Sequence, residues 1–211
     1  MAPPVPTLAR EAAAWAEGCL LVGVDEVGRG PLAGPLVAAA VVCPAGCPRA
    51  PLRGLRDSKV LPAERRAKLA IRIRARAVAI GIGAASVAEI DRLNIRCATA
   101  LAMRRALARI LGRVGPARVL VDGLPFPEIG LEHEALVDGD AHCASVAAAS
   151  IVAKILRDEL MHRLARRHPG YGWDTNVGYG TEAHHDGLLR LGPTRHHRQS
   201  FAPVAQIPLP F

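Results

Sequence analysis

The sequence predicts an α/β domain built on a mixed sheet, and three observations carry that prediction. Two apolar, β-branched runs, residues 19–26 and 36–43, are separated only by a short connection through Pro31 and Gly34, which favours an antiparallel hairpin over a crossover. Downstream, helical and strand-like periodicities alternate, the pattern of a sheet with helices packed on it. Half of the residues are hydrophobic but only 3% are aromatic, so the core has to be assembled from Ala, Val, Leu and Ile.

Taken in order, residues 1–18 read as a leader with a short helix over 8–15, and the strand-rich part follows. After the hairpin, a Pro-rich loop spans 44–54, and Pro62 suits the first turn of a helix running to Arg76. Alternating Val, Ile and Gly over 77–84 predict a third strand. Ser86 with Glu89 is a capping-box signature and starts a long helix through Leu111. Short strands are expected at 119–121 and 134–137, each running into acidic residues, Asp122 and then Asp138-Gly139-Asp140. An Ala-rich helix over 144–168 precedes a Gly-, His- and Arg-rich mixture of loops and short helices to residue 200. No repeat or low-complexity tract interrupts this order, so 211 residues suit one domain of 19–204 with a tail at 205–211.

The formal charge of +8 suits a polyanionic partner, without naming it. The five cysteines are odd in number and scattered, and Cys43 and Cys47 have no second pair at zinc-finger spacing, which argues for reduced thiols and against structural zinc. The N-terminus carries Arg10, Glu11 and Glu17 and lacks a signal-like apolar stretch, and no segment reaches the roughly 18 uncharged apolar residues of a membrane span. A soluble, cytoplasmic protein without a membrane partner is expected.

The informative charges are Asp25 and Glu26, at the end of an apolar strand and directly before Gly28-Arg29-Gly30. Ionised carboxylates there are costly unless a cation or donors compensate them, and a Gly-Arg-Gly turn offers backbone N–H groups and a guanidinium to a phosphate. Asp122 and Asp140 also stand at or after predicted strand ends, where α/β sheets form sites. If those strands are neighbours the four carboxylates converge and call for hard divalent cations, Mg²⁺ or Mn²⁺, and a pair of ions roughly 3.5 to 4 Å apart supports in-line phosphoryl displacement.

The string Asp25-Glu26-Val27-Gly28-Arg29-Gly30-Pro31-Leu32-Ala33-Gly34-Pro35 closely resembles the signature of the type 2 ribonucleases H. Further matching pieces follow in order: Asp57-Ser58-Lys59, Val121-Asp122-Gly123, Gly139-Asp140, the run from Ala148 to Lys154, Arg157-Asp158, Gly178-Tyr179-Gly180-Thr181 and His197 to Phe201. The resemblance spans about residues 19–204. It implies a ribonuclease H-like fold and endonucleolytic hydrolysis of RNA in RNA-DNA hybrids, including a single ribonucleotide in duplex DNA cut on its 5′ side to leave a 3′-hydroxyl and a 5′-phosphate. It also implies that Asp25, Glu26, Asp122 and Asp140 are metal ligands and catalytic carboxylates, and that Gly28, Arg29 and Gly30 read the 2′-hydroxyl and neighbouring phosphates. Tyr179 resembles the residue that stacks on the deoxyribose beside the ribonucleotide, and Lys59, Ser150 and Lys154 are expected to help hold phosphates.

One position departs from the family pattern: Asp138 stands where a lysine usually precedes Gly-Asp, placing an extra carboxylate beside Asp140. His184, His185, His196 and His197 are expected in surface or structural roles. The ending Gln206-Ile207-Pro208-Leu209-Pro210-Phe211 looks like the short peptides that engage a bacterial sliding clamp. Another two-metal DNA nuclease or resolvase on the same fold is the alternative, and a catalytically silent nucleic-acid binder a second one. The first would have no use for Gly28-Arg29-Gly30 together with Tyr179, the second none for four clustered acids.

Overall fold

The computed structural model describes residues 4–46, 54–55 and 61–207. Helix α1 (Ala9–Ala16) leads into strand β1 (Leu20–Val27), which turns back through the 28–35 loop into β2 (Leu36–Val42). Helix α2 (Ala63–Arg76), strand β3 (Ala79–Ala85) and helix α3 (Val87–Ala108) follow. The second half comprises β4 (Ala117–Asp122), β5 (Glu134–Leu136), α4 (Gly139–His142), α5 (Ala144–Arg167), α6 (Trp173–Asn176), α7 (Glu182–Leu191) and α8 (Ala202–Ala205). The five strands lie in the order β3-β2-β1-β4-β5. The β1–β2 and β2–β3 pairs are antiparallel and the β1–β4 and β4–β5 pairs parallel, so the expected mixed sheet and its hairpin are both present.

Strand alternation sorts the core into two sides. Val22 and Val24 of β1 face Ile90, Met103 and Leu107 of α3. The residues between them face α5, and there Gly23 is required: a Cβ on it would fall 2.3 Å from the Ser145 backbone. Small residues throughout α5, among them Ala147, Ala148, Ala149 and Ala153, let that helix lie flat on Val37, Ala39 and Val41 of β2. An aliphatic, aromatic-poor core is thus a condition of close helix–sheet approach, and it brings α5 within hydrogen-bonding reach of the end of β1.

The leader is tied in. Glu11 of α1, fully buried, accepts the Ser145 N–H at 2.7 Å and so caps α5 from 134 residues away. The helix expected to run from Ser86 to Leu111 starts with the predicted capping box but is broken at Asn94, whose φ of 66° and ψ of 165° are sparsely populated by any residue with a side chain. The Asn94 side chain caps the second segment by accepting the N–H groups of Arg96 and Cys97. This local side-chain competition with the backbone is why one apolar periodicity yields two helical segments.

Candidate active site

Asp25 lies on β1 opposite Ala39, facing α5 like Gly23, and Glu26 lies opposite Ala38. Both line a cleft of about 370 Å³ with Ser150, Lys154, Arg66 and Tyr179. Asp122 ends the parallel neighbour β4, and its Oδ1 accepts the Gly139 N–H at 2.6 Å. That bond pins the start of α4 against β4 and brings in Asp140, which is 8% exposed. Asp138 takes a left-handed conformation, with φ of 54°, as the residue before α4, and is exposed.

The electrostatics show how near the acids are. Burial pushes the Asp25 carboxyl well above its ordinary range, and the charges of Glu26, Asp122 and Asp140 add to the effect, while a hydrogen bond from Ser150 opposes it. Glu26 is raised mainly by burial, with Asp122 adding and the Arg29 guanidinium, 3.5 Å away, offsetting part. The Ser150 hydroxyl expected to hold a phosphate is therefore engaged with Asp25. An all-carboxylate set under mutual repulsion in a partly desolvated cleft fits a hard divalent cation, which would replace the proton burial favours. Among the described residues no three His, Cys, Asp or Glu side chains form a ready-made metal cage, so the acids sense one another without closing on a common point.

The residues expected to recognise the substrate adjoin this cluster. A Cβ on Gly30 would lie 3.7 Å from the ring of Tyr179, a residue that is 42% exposed. Arg29 sits 5.8 Å over the Phe126 ring, with Arg96 on the same ring at 5.0 Å. Lys154 pairs with Asp158 at 2.7 Å, and Arg66 reaches the same carboxylate at 3.6 Å. Lys59 lies outside the described residues.

Two buried arginines shape the 28–35 loop, and sequence reasoning gave neither a role. Arg157 donates to the carbonyls of Pro35, Ala33 and Val177. Arg198 donates to those of Gly28, Arg29 and Gly34, at 2.6 to 3.1 Å. Neither makes an ion pair among the described residues, and burial lowers Arg157 to about 10 and Arg198 to about 9. With those carbonyls drawn inward, the loop holds its shape against β1. Gly28 has a φ of +96°, and a Cβ there would sit 2.2 Å from Arg157 Nε. The sequence carried a hint, since both arginines fall inside motif pieces. Arg66, on α2, also reaches the cleft.

A model of the ribonuclease HII family matches residues 22–204. The chain belongs to the ribonuclease HII family. A ribonuclease HII from Synechococcus sp. (strain JA-3-3Ab) is 55% identical over 203 residues, 96% of this chain and 90% of that protein. The ribonuclease H2 of Pyrococcus horikoshii OT3 superposes with a TM-score of 0.74 at 26% identity, covering 89% of this chain and 96% of that one. A ribonuclease HII from Archaeoglobus fulgidus, solved as a complex with PCNA, gives 0.67 at 27% identity over 85% and 93% of the two chains. The expected ribonuclease H-like α/β fold is therefore present, and as a ribonuclease HII the chain is an endonuclease acting on the RNA of RNA-DNA hybrids. None of the helices among the described residues is long and apolar enough to cross a membrane.

Proposed function

We propose that this ribonuclease HII cuts on the 5′ side of ribonucleotides, including a single one embedded in duplex DNA, leaving a 3′-hydroxyl and a 5′-phosphate. Asp25, Glu26, Asp122 and Asp140 hold two divalent ions, Mg²⁺ or Mn²⁺, in this reading. Bound ions of this kind activate the attacking water and stabilise the leaving oxygen. The protein's own contribution is positioning: the Gly28-Arg29-Gly30 backbone and the Arg29 guanidinium take the 2′-hydroxyl and adjacent phosphates, while the Tyr179 ring packs on the next sugar and excludes an added hydroxyl there. Lys154, Lys59 and Ser150 are proposed along the phosphate track, Ser150 also orienting Asp25. One observation carries the reading: Asp25, Glu26 and Tyr179 line one cleft, with Gly30 beside the tyrosine ring and Asp122 and Asp140 near enough to act on Asp25.

A cleavage assay on duplex DNA with one ribonucleotide, run with Mg²⁺, Mn²⁺ or EDTA beside an all-DNA control, tests it. A cut only at the ribonucleotide and only with metal is expected. Cutting of the all-DNA control would instead favour a two-metal DNA nuclease.

The tail Gln206–Phe211 is proposed to bind a replication sliding clamp. The Archaeoglobus relative was solved with PCNA, which supports a clamp partner for this family member. Ile207 packs partly against the cluster of Leu32, Met161, Trp173 and Val204, and residues 208–211 lie outside the described residues. Deleting 206–211 is expected to abolish capture by an immobilised clamp without changing hybrid cleavage.

A further inference from the structure

His184 and His197 were expected in surface or structural roles, and both are fully buried. Their hydrogen bonds determine where every proton sits. The Thr194 N–H donates to His197 Nδ1 at 2.8 Å, so that nitrogen is bare and a neutral His197 carries its proton on Nε2. His197 Nε2 faces His184 Nε2 at 3.1 Å, and the Trp173 indole, which only donates, reaches the same His184 nitrogen at 3.0 Å. His184 Nε2 is therefore the acceptor and its proton is on Nδ1, which donates to the Tyr179 carbonyl at 2.9 Å. The relay runs in one direction, from the Thr194 backbone through two neutral imidazoles to the residue whose ring borders the cleft.

We propose that His184, oriented by His197 and Trp173, is a positioning residue for Tyr179 and so sets how strongly the enzyme prefers a ribonucleotide followed by DNA. Tyr179 is 42% exposed, so the packing of its own ring fixes it only in part. Its backbone is held instead, by Tyr179 N–H to Asn176 O, by Thr181 N–H to Tyr179 O, and by the His184 bond. Only the last comes from a side chain, and it ties the tyrosine to the buried Tyr171–Trp173 stack, whose rings are 5.0 Å apart. Losing that tether lets the ring drift from the sugar it would cover. Hydrolysis itself uses the acids across the cleft and would continue.

The inference rests on the reading of Tyr179 as the reader of the ribose–deoxyribose junction. Its test is a ratio within one preparation: kcat/KM on duplex DNA with one ribonucleotide, divided by kcat/KM on a uniform RNA-DNA hybrid. That ratio is independent of the folded fraction. Tyr179→Ala is expected to lower it about tenfold and His184→Leu at least about fivefold, the scale of misplacing one contact. His184→Asn, which retains a donor near Nδ1, should keep most of the preference, and Trp173→Phe should lower it about twofold, an indirect loss of orientation. An unchanged ratio in both His184→Leu and Trp173→Phe, with Tyr179→Ala still lowering it, would overturn the inference alone. An unchanged ratio in Tyr179→Ala would overturn the junction reading and the inference with it. Should His184→Leu prove insoluble, the Trp173→Phe and His184→Asn ratios decide the matter.

Discussion

Glu26 donates its backbone N–H to Oδ1 of Asp25 at 2.7 Å. Two acids adjacent in sequence are thereby set apart in their contacts, since the bond fixes one Asp25 oxygen and Ser150 engages the carboxylate from α5. Asp25 is thus held from two sides, as its proposed role as an oriented ligand requires.

Replacing Asp25, Asp122 or Asp140 singly with Asn is expected to reduce cleavage by at least about 10³-fold, because each removes charge that positions the reacting groups. Thermal stability without added metal should stay level or rise, most for Asp25→Asn, which relieves the burial cost and the repulsion that raise that carboxyl. Asp138 is exposed beside the cluster, and Asp138→Asn should leave activity within about threefold, as an exposed charge contributes little. Loss of activity in Asp138→Asn with activity retained in Asp140→Asn would reverse the ligand assignment.

Metal affinity should rise with pH through and above the ordinary carboxylate range. Asp25 and Glu26 are both raised, so in mild acid an entering cation has to displace protons. Calorimetric titration of Mn²⁺ at pH 6 and pH 8, each in two buffers of different ionisation enthalpy, should show weaker binding and greater proton release at pH 6. Equal proton release at both would contradict the raised carboxyls.

Gly28→Ala combines a positive φ with a Cβ 2.2 Å from a buried guanidinium, and Arg157 has no room to retreat without losing its carbonyls. A loss of about 10²-fold in kcat/KM is expected, as for a recognition loop displaced by about an ångström. Arg198→Met should cost about 3 to 5 kcal/mol in urea denaturation, since three carbonyls lose their charged donor. A cost below about 1 kcal/mol would mean that water replaces the guanidinium.

The buried imidazoles give stability a pH dependence with a definite sign. Burial, with neighbouring histidines adding, pushes His197 down to about 3, and His184 is lowered too. A base whose folded pKa lies below its unfolded value of about 6.5 contributes stability that is present above that value and lost as pH falls from it toward the folded pKa. For His197 the loss by pH 5 is of order 2 kcal/mol. Asp25 and Glu26 act with the opposite sign, so the check is differential: denaturation midpoints at pH 7 and pH 5 should fall less in His197→Gln than in the parent chain.

Much of this architecture was legible in the residues. The hairpin followed from a connection too short for a crossover, α5 from its alanine periodicity, and the helix start at Ser86 from its capping box. The acids stood out because charge at the end of a buried strand needs a partner. What stayed hidden depends on long-range geometry. Arg198 is one arginine among many until its bonds to Gly28 and Gly34 are seen, and the His184 relay joins segments 13 residues apart through ring nitrogens. The break at Asn94 was masked because a capped Asn leaves apolar spacing intact on both sides.

The clamp on the recognition loop also imposes an order on synthesis. Arg157 meets its first loop carbonyl across 122 residues and Arg198 meets Gly28 across 170, whereas Asp25, Glu26, Asp122 and Asp140 are all translated earlier. A nascent chain halted at the end of α7 would hold all four of these acids and lack half of the guanidinium support for the 28–35 loop. If the proposed roles hold, the acids are in place on the ribosome before the loop that would choose the substrate is fully braced.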